Sequence, residues 1–177
     1  MRNGKKRCAL LICLALVLAL MPLGCSSGQD RAMGAALAAE DLMFTVSQQS
    51  FTVREDIAPL LAALGPEESV STSPSLLFEG EDKVYTYPGV TLCTYPDGDV
   101  DRIDEIILTD DRYRTARNAR VGDSRQRILE LYGTPASEED SLLLYSAGTA
   151  DGSPKLYFDF GEGDAVVSIH LYSAIGE

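Results

Sequence analysis

Apolar residues recur along this chain at two different periods, and the changes of period mark out the elements. Ile57, Leu60, Leu61 and Leu64 fall at i, i+3, i+4 and i+7, which gives a helix one apolar stripe. Thr52 and Glu55 ahead of them have the spacing of a capping box, Pro59 suits a helix that has just begun, and Gly65-Pro66 stops it in a left-handed turn. A second helix is predicted in the stretch from Val121 to Pro135, with Asp123 or Ser124 as its cap and Gly133 and Pro135 as its stop. A shift of 68 positions lays Val53, Leu60, Leu61, Leu64 and Gly65 over Val121, Ile128, Leu129, Tyr132 and Gly133. Helices of about ten residues are marginal alone, so each copy has to pack on something.

The partner surface is predicted by the period of two. Phe44-Thr45-Val46 and Phe51-Thr52-Val53 flank Ser47 to Ser50, a hairpin that leads into the first helix, and Glu67 to Ser75 reads as a loop. Val84 to Tyr87, Thr91 to Tyr95 and Ile103 to Leu108 are separated by Pro88-Gly89 and Pro96-Asp97-Gly98, turns short enough to make antiparallel neighbours. Leu142 to Tyr145, Leu156 to Phe160 and Val166 to Tyr172 follow the second helix in the same order. Alternation puts Leu156, Phe158 and Phe160 on the helix side, together with Val167, Ile169 and Leu171. The expected fold class is therefore α+β, with two tandem helix-plus-antiparallel-sheet repeats packed as one compact domain: residues 44–109, a linker at 110–120, and residues 121–177.

The N-terminal segment changes the picture from a bare domain to an exported one. Arg2, Lys5, Lys6 and Arg7 precede an apolar run from Cys8 to Leu20, the pattern of a signal peptide over residues 1–24. Leu23-Gly24-Cys25 resembles the lipobox of bacterial lipoproteins, although Pro22 stands where leucine is usual. The resemblance implies lipidation of Cys25, a lipidated tether over residues 25–43 and an extracytoplasmic place in the bacterial cell envelope. Removal of those four basic residues, with all 27 acidic ones retained, takes the net charge from −12 to −16, which disfavours nucleic acid as a partner. Cys93 is then the one remaining thiol besides Cys25, which rules out an intrachain disulfide once Cys25 is acylated; its apolar neighbours suggest a buried, structural side chain.

Candidate chemistry is sparse. His170 is the single histidine, and no nucleophile elbow, His-Glu-x-x-His, Cys-x-x-Cys or phosphate loop occurs, so no catalytic residues and no cofactor are expected. Asp97, Asp99 and Asp101 alternate like the start of a calcium loop, but Arg102 and Leu108 stand where its glycine and bidentate acid belong, leaving a weak metal candidate. Arg112, Arg114, Arg117, Arg120, Arg125 and Arg127 crowd one stretch of an acidic chain, with intramolecular carboxylates as the expected partners.

The two helix-then-strand units, with Gly/Pro helix ends and Val121-Gly122-Asp123-Ser124 at one opening, resemble the β-lactamase inhibitor protein-like group and related small outer-membrane lipoprotein domains of the assembly-factor type. The resemblance spans about Phe44 to Tyr172 and implies protein binding through sheet and loops. The expected function is a non-catalytic, membrane-anchored protein-binding lipoprotein whose partner is an envelope or extracellular protein. The alternatives are a cation or small-ligand binder and a hydrolytic envelope enzyme. Tyr85, Tyr87, Tyr157 and Tyr172 are the candidate partner-binding residues on an outer sheet face, because tyrosine offers large contact area with a polar tip.

Overall fold

The structure is a computed structural model that describes residues 37–176, so the expected signal segment, Cys25 and the expected tether up to residue 36 lie outside the described residues. A 3-10 turn, Ala39–Asp41, leads into the hairpin of β1 (Phe44–Val46) and β2 (Gln49–Phe51), and α1 (Ala58–Leu64) follows. Next come β3 (Ser69–Pro74), β4 (Glu81–Tyr87), β5 (Val90–Asp97) and β6 (Val100–Leu108). After β7 (Arg114–Thr115) and α2 (Arg125–Tyr132), the chain ends in β8 (Ser137–Glu139), β9 (Leu142–Ser146), β10 (Lys155–Phe160) and β11 (Val166–Tyr172). No described helix is long and apolar enough to cross a membrane.

The expected α+β class is corrected: the fold is mostly β, with 44% of the described residues in strand against 13% in helix, and one large antiparallel sheet. Its order is β3-β4-β5-β6-β11-β10-β9-β8, because β6 pairs with β11 from Leu108↔Ile169 to Glu105↔Tyr172 and fuses the two strand groups. The helices are only seven and eight residues long. One turn of Leu60 and one turn of Ile128 and Tyr132 join the same buried cluster as Leu92, Ile106, Phe158 and Leu171, so the sheet supplies most of the core. Burial of a side chain of this size contributes about 2 kcal/mol, and in this fold most of those side chains sit on strands.

Residues 110–120 are more than a linker. β7 pairs with β1 to make a separate three-stranded sheet with β2, and Ala119 is fully buried. Arg117 reaches back to Asp41 at 2.7 Å, both side chains lying within a tenth of full burial, and its guanidinium lies over the Tyr132 ring. Five of the six crowded arginines have carboxylate partners: Arg112 with Asp110, Arg117 with Asp41, Arg120 with Asp123, Arg125 with Asp164, and Arg127 with Glu130.

The two helix openings are built alike. Arg54 N–H donates to Ile103 O and Glu55 O accepts from Ile103 N–H, while Gly122 N–H donates to Val166 O and Asp123 O accepts from Val166 N–H. Each turn is thereby pinned to a β-hairpin, and each requires a positive φ, 69° at Arg54 and 90° at Gly122. Ser124 caps α2 by accepting from the Arg127 N–H, as its position predicts. Thr52 and Glu55 do bond, through the Thr52 N–H, but inside the pinned turn; α1 starts only at Ala58, where Asp56 accepts the first N–H.

One strand replaces expected loop, and another falls where no element was expected. β3 occupies Ser69–Pro74, and it lacks a legible pattern because every residue of this edge strand is exposed and no side chain has to alternate. β8 is a three-residue edge of the same kind. Val167 is also displaced from its expected inward face: the register slips between Asp159 and Phe160, so Phe160 faces Val166, and Val167 turns outward at 50% exposure.

Candidate functional site

Cross-strand partners share a face, so the register decides which tyrosines look outward. Tyr85 pairs with Leu92, which continues through Ile106, Leu171 and Leu156 to Tyr145, a row on the helix side. Tyr87 pairs with Val90 on that side too and is only 4% exposed. The expectation that Tyr85 and Tyr87 match Tyr157 and Tyr172 on the outer face is therefore corrected. The two groups meet through β6 and β11 with opposite pleat phase at those tyrosines, and only the pairing sets that phase.

Tyr157 and Tyr172 do face outward, with ring centroids 6.5 Å apart. One outer row runs Thr91, Ile107, His170, Tyr157 and Leu144; the next runs Cys93, Glu105, Tyr172, Lys155 and Ser146. These side chains are half-buried by one another, and both helices lie on the other side of the sheet. At the β4–β5 end the β3–β4 loop folds over this face, where Phe78 stacks on Tyr95 at 4.9 Å and a cavity of about 150 Å³ is lined in part by Asp82, Cys93 and Asp104.

His170 lies at the middle of the open part. Its Nδ1 is 2.7 Å from Glu105 Oε1, and its Nε2 is 3.0 Å from Asp159 Oδ2 and 3.1 Å from Ser168 Oγ. Burial alone lowers its pKa, but the hydrogen bonds and charges of Glu105 and Asp159 outweigh that, so the net direction is upward. With a carboxylate at each nitrogen, the protonated ring can donate to both and clamp β6, β10 and β11 together.

The contacts Ser168, His170 and Glu105 have the connectivity of a hydrolase triad, yet the protons are placed differently. Ser168 donates its hydroxyl to Asp159 at 2.6 Å rather than to the ring. No family model matches this chain, and no curated protein or solved structure matches it either. What the face can do follows from its geometry.

The remaining candidates are dispersed. Asp97 is paired with Arg102 at 2.5 Å and Asp101 with Lys83 at 2.6 Å, on either side of the turn that carries Asp99. Among the described residues no three histidine, cysteine, aspartate or glutamate side chains converge as a metal site. Cys93 is half-buried on the outer face rather than in the core, and burial, with Glu105 and Asp104 nearby, pushes its thiol up to about 11, far from thiolate chemistry at neutral pH. Cys25 lies outside the described residues. Asp159 and Ser168 went unnoticed in the sequence, and nothing there linked Glu105 to His170, because these residues stand on three strands at positions that look like ordinary polar alternation.

Proposed function

We propose that this protein is a non-catalytic protein-binding module, tethered outside the cytoplasm through a lipidated Cys25, that grips an envelope or extracellular protein with its outer sheet face. The observation that carries the reading is the placement of Tyr157 and Tyr172 beside Ile107 and Leu144 on a face that no helix covers. Aromatic rings of this kind combine large contact area with little entropy loss, and the Glu105–His170–Asp159 clamp holds their strands in fixed register. The likeness to the β-lactamase inhibitor protein-like group belongs to the same proposal and points to the same class of function. An enzyme reading is disfavoured because the Ser168 proton is committed to Asp159.

The test is photo-crosslinking in intact envelopes, with the photoreactive residue at position 157 on the outer face or at 127 on the solvent side of α2. A protein adduct formed from position 157 and not from 127 is the expected result; equal adducts, or none from 157, overturn the assignment of this face. In the same cells Cys25→Ala should release the protein from the membrane fraction and remove the acyl mass, and unchanged fractionation and mass would refute the anchor.

A further inference from the structure

The sheet has two edges, and they are treated differently. β8 is three residues long and carries Glu138 and Glu139, with Arg125 donating to Glu139 O and Asp140 O and pairing with Glu138. That edge is short, charged and partly capped. β3 is six residues long, Ser-Val-Ser-Thr-Ser-Pro, uncharged and exposed throughout. Such an edge offers a row of free backbone groups to any chain that can pair with it.

The phase of the ladder shows which groups are offered. Ser75 N–H donates to Gly80 O at the loop end, and pairs in an antiparallel ladder alternate, so Ser69, Ser71 and Ser73 bond inward to β4. Val70 and Thr72 then turn their N–H and C=O groups outward, and Pro74 closes the row because it has no N–H to give. Val70 is 42% exposed, and Leu76 and Leu77 in the loop that follows are 96% and 64% exposed, which adds apolar surface beside the free backbone.

Charge selects the occupant. Exposed Glu67 and Glu68 stand at one end of β3 and exposed Glu79 and Glu81 at the other, while Lys83, opposite Thr72, is already paired with Asp101. A second copy of this chain, laid antiparallel, would set these glutamates against each other. We infer that β3 is a docking edge for an extended, basic segment of another protein, which adds to the sheet as an antiparallel strand with lysine or arginine flanking a short apolar stretch. This edge is separate from the outer face, so either can fail without the other.

The experiment uses a capped synthetic peptide of alternating valine and threonine with two lysines at each end, and a counterpart with glutamates in their place. Titration is followed by amide shifts of Val70 and Thr72 and by anisotropy. Thr72→Pro removes an outward N–H without touching the inward ladder, and Val70→Lys leaves the backbone alone but repels the basic peptide. The lysine peptide is expected to shift both amides of the wild type and to bind about tenfold tighter than the glutamate peptide or than it binds either folded variant. Absence of those shifts, or equal binding to Val70→Lys, overturns the proposal. A concentration-dependent dimer of the wild type that Thr72→Pro abolishes would give the edge to a second copy and overturn the basic peptide as occupant.

Discussion

Two carboxylates approach the two ring nitrogens of His170 and raise its pKa, and the effect on stability has a definite sign. A folded-state pKa raised above 6.5 means that the folded protein holds the proton more tightly, so the clamp stabilises fully below about pH 6.5 and fades as pH rises through the folded value. His170→Gln should therefore lower the melting temperature at about pH 5.5 and have little effect at about pH 9, once the wild-type ring is also neutral. Glu105 and Tyr172 on the neighbouring rows, Tyr157 and Asp159 on β10 and Ser168 on β11 are the groups facing this ring, and Glu105 and Asp159 supply its charge partners. A melting difference that is the same at both pH values would show that the ring acts by packing alone. None of this was legible before the fold was known, since residues 105, 159 and 170 share no motif. Arg117 was legible only as one of six arginines; its buried pairing with Asp41 depends on how the segment before β1 packs against α2.

At the scale of elements, both helices were readable because a helix of this size depends on local signals: an i, i+3, i+4, i+7 stripe and a glycine stop. The detail of that stop differs from the left-handed turn expected. Gly65 has φ 85° and ψ −152°, and Gly133 has φ 75° and ψ −146°, a region almost closed to residues with a side chain. Gly65→Ala should cost about 1–3 kcal/mol through backbone strain alone, since a Cβ there meets nothing within 4 Å. Gly65→Asn, which would be tolerated in a true left-handed cap, should cost as much. Urea melts of the two variants check this, and a silent asparagine would mean that the turn relaxes to the left-handed form. The inner strands were legible because one face of each is buried and alternation is enforced. β3 and β8 were not, because an exposed edge places no such demand on its side chains.

At the scale of the whole molecule, the seam between β6 and β11 decides whether there are two units or one. Ile106 and Leu171 face each other across it and are both fully buried in the cluster that also holds Leu60 and Ile128. A substitution at the seam should therefore weaken both strand groups together. Leu171→Ala is expected to cost about 2–5 kcal/mol and to keep a single transition, with far-ultraviolet and tyrosine near-ultraviolet signals melting together. If residues 44–109 and 121–177 formed independent units, the two signals would separate and amide exchange would rise only in the second group.

The linear sequence by itself determined what depends on neighbours along the chain: the two helical stretches, the Ser124 cap, the glycines that end the helices, and the hairpin turns. The tertiary structure alone decided what depends on register and on partners far away in the chain. It joined the strand groups into one eight-stranded sheet, turned Tyr85 and Tyr87 inward while Tyr157 and Tyr172 stayed out, and brought Glu105, Asp159 and Ser168 to His170. The physical reason is the period of the strand: a slip of one residue exchanges its two faces, and which slip is adopted depends on the strand beside it.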